Sequence, residues 1–154
     1  MEIKLHLASE AEKTQVWEML STYLDELSQY AEVDREYRFF DSYWVDRARW
    51  PYIIATGKRT AGFALVNTWS PSGNGTDFAV AEFYVLPEFR GTGVGERAVA
   101  SLLAAHSGIW EVSVMANNAG AKSFWLRALK TAGVSEIETV DLDQTCVYRF
   151  ASAL

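Results

Sequence analysis

Cysteine occurs once in the 154 residues, as Cys146, and histidine twice, as His6 and His106. A lone thiol closes no intramolecular disulfide, and three scattered donors cannot complete a four-coordinate structural zinc site, so no metal is expected. Positive charge is short as well: 14 Lys and Arg stand against 20 Asp and Glu, a formal net charge of -6 with a pI near 4.9. A phosphate-backbone footprint needs the opposite balance, so no nucleic acid partner is expected. No apolar run approaches the ~20 residues that cross a bilayer, and Met1 to Glu10 alternates charge with hydrophobe where a signal peptide needs an apolar block. The expectation is a soluble, cytoplasmic chain with no membrane partner. Internal repeats and low-complexity tracts are missing too. What is present, 49% hydrophobic and 22% charged residues, fits one globular domain over residues 1–154 with one core.

Two periods organise that hydrophobic content. Ile3, Leu5 and Leu7 alternate with Glu2, Lys4 and His6, the pattern of a short half-buried strand. Ser9 followed by Glu12 reads as a capping box, and Val16, Leu20, Leu24 and Leu27 then recur on one stripe, predicting a helix of about five turns. Residues 29–50 are rich in aromatics and acids and predict one more helix with loops. Tyr52 to Thr56 and Ala61 to Thr68 flank Gly57-Lys58 as a hairpin, Ser70 to Gly75 is loop chemistry, and Phe78 to Leu86 is a strand stopped by Pro87. After glycines 91, 93 and 95 come a helix (Val94, Ala98, Leu102, Ala105) and a strand (Trp110 to Met115). Asn118 caps a further helix through Lys130, Gly133 stops it, and Val134 to Leu142 pairs with Cys146 to Phe150 across Asp143-Gln144.

The glycine-rich run Arg90-Gly91-Thr92-Gly93-Val94-Gly95 sits where a strand hands over to a helix. Backbone N–H groups that the helix leaves unpaired converge there at its positive end, and glycine lets an anion approach them, so the loop is suited to phosphate. A Walker A loop is excluded because no Gly-Lys-Ser or Gly-Lys-Thr occurs. The dinucleotide fingerprint is formally met by Gly93, Gly95 and Ala98, but a hairpin precedes the loop, and the next strand ends at Met115 to Ala116 without the required acid. Coenzyme A pyrophosphate is the third candidate.

The segment Ala81 to Gly95 resembles motif A of the GNAT superfamily of N-acetyltransferases, in which an Arg or Gln is followed three residues later by Gly and then by Gly or Ala, after a strand. Asn118 to Trp125 is similar to that superfamily's N-x-x-A-x-x-F-Y segment. The order of elements looks like the same fold over nearly the whole chain, implying an α/β class, a three-layer α/β/α domain with a mixed, splayed central sheet. The resemblance implies transfer of an acetyl group from acetyl-coenzyme A to a primary amine by direct attack in a ternary complex, without metal. It implies that pantetheine lies along the edge Phe83 to Val85, that Arg90, Gly91, Thr92, Gly93, Val94 and Gly95 hold the pyrophosphate, and that Asn118 contacts the pantetheine arm. The Val85 amide matches the position that binds the acetyl carbonyl. Glu82, on the splayed strand, is the candidate base that deprotonates the ammonium. Trp125 departs from the pattern, standing where a tyrosine usually protonates the leaving thiolate. An indole N–H is no general acid, which leaves Tyr84 or water for that task and keeps open a non-catalytic acetyl-coenzyme A sensor.

Acids and aromatics attract and stack on a cation, so the acceptor is expected to be a small cationic amine met by residues of the 29–50 stretch, Tyr30 and Tyr43 among them, with Trp69 beside the coenzyme mouth. The plainer reading of these residues is a solvated, partly buried helix pair. His6 and His106 read as structural or solvated, the latter at a helix end that favours a cation. Cys146, Trp17, Trp110 and Phe124 read as core. A homodimer is common in the family, and nothing in the sequence demands one.

Overall fold

The computed structural model describes residues 2–152. Its frame is a seven-stranded sheet of β1 (Ile3–Leu7), β2 (Trp50–Thr56), β3 (Arg59–Asn67), β4 (Phe78–Val85), β5 (Gly108–Met115), β6 (Glu138–Asp141) and β7 (Thr145–Ser152), in spatial order β1-β2-β3-β4-β5-β7-β6. Neighbours are antiparallel except β4 and β5, which run parallel. Three helices, α1 (Lys13–Leu27), α2 (Val94–Ala105) and α3 (Ala119–Thr131), complete the fold.

Side-chain alternation along β3 sorts the core into two layers. Phe63 and Leu65 face α1, whose stripe of Val16, Met19, Leu20 and Leu24 packs on them. Ala64 and Val66 face the opposite layer, where Val99, Leu102 and Leu103 of α2 meet Trp125, Ala128 and Leu129 of α3. Each buried aliphatic side chain contributes about 1.5–3 kcal/mol, so one stripe per helix suffices to dock it on the sheet. The expected three-layer α/β/α architecture with a mixed sheet is therefore present. No helix among the described residues is long and apolar enough to cross a membrane.

Three sequence expectations need correction. Residues 28–49 form no α-helix; they run through turns with a single 3-10 turn at Asp41–Trp44. Tyr37 adopts a positive φ of 44°, which a helix cannot accommodate. The Asp34 carboxylate accepts the Glu36 N–H at 3.1 Å, and Phe40 packs at steep angles between Trp17 and Trp44, each ring centroid 4.9 Å away. Aromatic packing against α1 thus outweighs helical propensity. The strand expected over Val134 to Leu142 is confined to Glu138–Asp141, because the Val134 N–H is used by the Leu129 carbonyl to close the end of α3. His106 does not favour a cation: its ring lies among Trp50, Tyr52, Phe78 and Trp110, and burial holds its pKa below the usual imidazole value.

Two local irregularities shape the middle of the sheet. Leu65 pairs with Glu82 but Val66 pairs with Val80, so Ala81 is an extra residue bulged out of β4. The bulge reverses the strand's parity: Phe78 and Val80 point to the α2/α3 layer, Ala81 points to α1, and beyond it Phe83 points to α2/α3 and Tyr84 to α1. The other irregularity is closeness. A Cβ on Gly62 would lie 1.9 Å from the Tyr84 carbonyl oxygen, so only glycine lets β4 approach β3 there.

Glu111 of β5 closes the far end of β4. It is 0% exposed, pairs with Arg149 of β7, and accepts hydrogen bonds from the Ser70 hydroxyl and from the backbone and hydroxyl of Ser72. Its lone pairs are thus satisfied, as a buried carboxylate requires, and the loop entering β4 is pinned. We expect Gly62→Ala to lower stability by about 1–3 kcal/mol by overpacking, measured by urea denaturation; an unchanged midpoint would show that β3 and β4 do not meet this closely.

Candidate active site

The ladder between β4 and β5 is only three residues long, Phe78 to Val80 against Trp110 to Val112. Beyond it β5 continues beside β7 through Met115 while β4 continues beside β3 through Val85, and the two strands part. Leu86 donates its N–H to Ala61 on the β3 side, so alternation turns the Val85 N–H toward the gap, where no strand pairs with it. The Val85 carbonyl faces the same way and accepts from Arg90 Nε at 2.8 Å.

At the end of β4 the chain passes through a 3-10 turn, Pro87–Phe89, into the glycine loop. Gly91 and Gly93 have φ of +76° and +86°, and a Cβ would meet open space at Gly91 and only the Glu96 carboxylate, in ordinary contact at 3.9 Å, at Gly93, so the left-handed turn itself selects glycine. Gly93 is the N-cap of α2 and makes no side-chain capping bond. The first N–H groups of α2 consequently remain without a helical partner at its positive end. Gly95 is glycine for another reason: a Cβ would fall 2.7 Å from the Phe124 ring of α3.

These elements enclose a cavity of about 710 Å³. One wall is Tyr23, Glu26, Leu27, Gln29 and Tyr30, the floor is Phe83, Tyr84 and Val85, and the far side is Phe89, Arg90, Gly91, Gly93, Gly95 and Glu96, with Asn118, Gly120, Ala121, Phe124 and Arg127 opposite. Most of the expected coenzyme residues are brought together here. Val94 and Thr92 are not among the lining. The Val94 side chain is fully buried against Phe89 and Ala98, and the Thr92 hydroxyl donates to the Phe89 carbonyl at 2.6 Å, so only their backbones are available to a ligand. Arg90 is committed too: its Nη2 meets both Glu26 oxygens at 3.1 Å, and its guanidinium lies 5.4 Å from the Tyr84 ring centroid. Asn118 lines the cavity while its side-chain oxygen caps α3 by accepting the Ala121 N–H at 3.0 Å.

The remaining expected residues divide. Tyr30 lines the cavity. Tyr43 is only 3% exposed, with its hydroxyl accepting from Asn67 at 3.1 Å, and Trp69 is 73% exposed; neither lines it. Trp125 is 5% exposed and packs on Phe83 and Phe124, so its indole is core. The Tyr84 ring is buried beside Tyr23 and its hydroxyl makes no hydrogen bond of good geometry among the described residues; burial and the nearby Glu26 carboxylate raise its pKa, so it stays a protonated donor.

Glu82 lies on the α1 face of β4, outside the cavity lining. The Tyr37 hydroxyl donates to its Oε2 at 2.5 Å, and Tyr23 stands against it from α1. Burial raises the Glu82 carboxyl to about 7, against the pull of both hydroxyls, which favour the ionised form. Tyr23 and Tyr37 escape a reading of the sequence. They come from a helix stripe and a turn, and no spacing joins positions 23, 37 and 82. Among the described residues no group of three or more His, Cys, Asp or Glu is placed to hold a metal ion.

The description "Acetyltransferase (GNAT) family" belongs to the family model that matches residues 14–130. The chain belongs to the GNAT acetyltransferase family. It is therefore an acyl-CoA-dependent acetyltransferase. No curated protein matches it significantly. Solved structures match in fold. A GNAT acetyltransferase from Streptococcus agalactiae has a TM-score of 0.73 at 14% identity, over 99% of this chain and 96% of that one. The acetyltransferase AAC(6')-Ib with ribostamycin and coenzyme A has a TM-score of 0.71 at 16% identity, over 99% and 94%. YncA of Salmonella typhimurium with its cofactor acetyl-CoA has a TM-score of 0.62 at 14% identity, over 96% and 91%.

A carboxyl raised from 4.5 to about 7 on folding binds its proton more tightly in the folded state, so stability is lost as pH rises through that window. Glu82→Gln removes this loss. We expect the variant to exceed the parent by up to about 3 kcal/mol at pH 8 and to match it at pH 4, read from denaturant midpoints; equal midpoints at pH 8 contradict a raised carboxyl.

Proposed function

We propose that this acetyltransferase moves the acetyl group of acetyl-coenzyme A to the primary amine of a small cationic molecule, by direct attack in a ternary complex. The observation that carries the reading is the uncapped start of α2 at the mouth of a cavity that runs into the open edge of β4. Such an N-terminus suits a diphosphate, and the free edge suits a chain that hydrogen-bonds like an added strand. The bound coenzyme supplies the activated acetyl group.

The protein's own groups divide the remaining work. Backbone N–H groups of Gly91 to Gly95 hold the phosphates, with Arg90 beside them once Glu26 yields its guanidinium. Phe83 and Val85 present the edge, Asn118 faces it from α3, and the Val85 N–H polarises the acetyl carbonyl; a preorganised donor of this kind is worth about 3 kcal/mol in other enzymes. Glu82 accepts the amine proton, directly or through water, and a carboxyl near 7 is matched to that task at neutral pH. Tyr84, whose hydroxyl makes no hydrogen bond of good geometry among the described residues, donates to the leaving thiolate, a task the buried Trp125 cannot perform.

Support for a cationic acceptor is electrostatic. The chain carries a net charge of -6, Glu26 and Tyr30 stand on the α1 wall of the cavity, and AAC(6')-Ib is seen with ribostamycin. Tyr30 and Tyr43 are the proposed acceptor contacts of the 28–49 segment, and Trp69 is proposed at the rim of its approach.

Free-thiol release tested with polyamines, amino acids and aminoglycosides should reveal turnover with at least one class. Tight acetyl-coenzyme A binding with no release from any amine counts against a small cationic acceptor. Gly93→Glu places an anion at the α2 start in a left-handed conformation, and calorimetry should show coenzyme affinity reduced at least about 100-fold, roughly 3 kcal/mol; undiminished affinity removes the phosphate site.

A further inference from the structure

We propose that Tyr37 is a positioning residue for the reaction: a left-handed turn in the 28–49 segment delivers its hydroxyl to Glu82 and holds that carboxyl in the orientation from which it takes the amine proton. The inference rests on Glu82 acting as the base.

Tyr37 is the one non-glycine residue with positive φ among those described. A bulky side chain rarely occupies that region unless surrounding contacts impose it. Here the contacts are visible. The Tyr37 N–H donates to the Asp34 carbonyl at 3.3 Å and the Phe40 N–H to the Tyr37 carbonyl at 2.9 Å. The turn is also tied to α1 on both sides, by the Arg35–Asp25 ion pair and by Lys13 on Asp41 at 3.0 Å. Its strained residue is the one whose side chain reaches across to β4, 45 positions away, with a 2.5 Å hydrogen bond.

The surroundings of Glu82 leave few other groups to orient it. α1 contributes Tyr23, the 28–49 segment contributes Tyr37 and Tyr43, and β3 contributes Leu65 opposite it in the ladder. Arg49 lies over the Tyr43 ring and Glu26 lies beyond Tyr23. No basic side chain is among the groups that act on Glu82. Burial raises its proton affinity, and hydroxyls are the polar groups that orient it and favour its ionised form against that burial. Burial and the adjacent carboxyl push the Tyr37 phenol far up, so it remains a donor across the working range, and one donated hydrogen bond fixes the plane of the carboxylate while leaving acceptor capacity for the substrate proton.

The test compares pH profiles of kcat/KM for the best amine found, between pH 5.5 and 9.5, for the parent, Tyr37→Phe, Tyr37→Asn and Glu82→Gln. Removing a hydrogen bond that favours the ionised carboxyl moves the acidic limb upward. We expect a shift of about one pH unit in both Tyr37 variants, a loss of roughly five- to tenfold at pH 6.5, and recovery toward the parent at pH 9. KM for acetyl-coenzyme A should stay constant, since Tyr37 lines no part of the coenzyme cavity. Asparagine tolerates positive φ, so Tyr37→Asn keeps the turn if Tyr37→Phe folds poorly. A Glu82→Gln variant inactive throughout, with both Tyr37 variants keeping the parent's acidic limb, overturns the role of Tyr37 alone. A Glu82→Gln variant with parent activity and profile overturns the base assignment and this inference with it.

Discussion

The ladder between β4 and β5 ends at Val80 and Val112, and the geometry of the site follows from that early ending. A parallel pair carried to the end of both strands would have spent the Val85 amide on its neighbour and left the glycine loop facing a closed sheet. Two features enforce the parting. The bulge at Ala81 bends β4 and adds twist, while Gly62 lets its continuation lie hard against β3. At the other end Glu111, Arg149 and the serines of the incoming loop hold β4 and β5 together. The sheet is fastened at one end and open at the other.

The same bulge sets the surroundings of Glu82, one of the two carboxylates that matter. By shifting parity it leaves Glu82 on the α1 face, partly buried under Tyr23 and Tyr37, where the neutral form gains. Glu26, two residues short of the α1 C-cap Ser28, instead meets a guanidinium at the cavity wall and remains paired. One acid is thereby suited to exchanging a proton and the other to occupying a cation until an anion competes for it. Neighbours supply this difference, since both side chains are glutamates.

Periodic features are legible in the sequence itself. The alternation of β1, the α1 stripe and the glycine loop between a strand and a helix are local patterns, and each fell within a few residues of the expected place. Features that depend on long-range packing are not. Residues 28–49 look helical because aromatics and acids recur there, yet their rings are claimed by Trp17 and by the α1 layer. Val94 sits inside the phosphate motif but is core, and Gly95 belongs to the motif while answering to Phe124. The Ala81 bulge has no signature in composition, and without it the faces of Glu82 and Phe83 cannot be assigned. The Tyr37–Glu82 contact spans 45 positions, a separation no short-range pattern encodes.

Arg90 has one further consequence. A strand that leaves its partner inside a sheet exposes the backbone groups that invite a stranger's strand to dock, the hazard borne by any unprotected β edge. Arg90 takes the Val85 carbonyl for itself and sets a guanidinium, anchored by Glu26, across the opening. A phosphate competes with Glu26 for that guanidinium, whereas a hydrophobic segment has nothing to trade. The residue next to the glycine turn thereby covers a backbone carbonyl that the parting of β4 from β5 would otherwise leave bare.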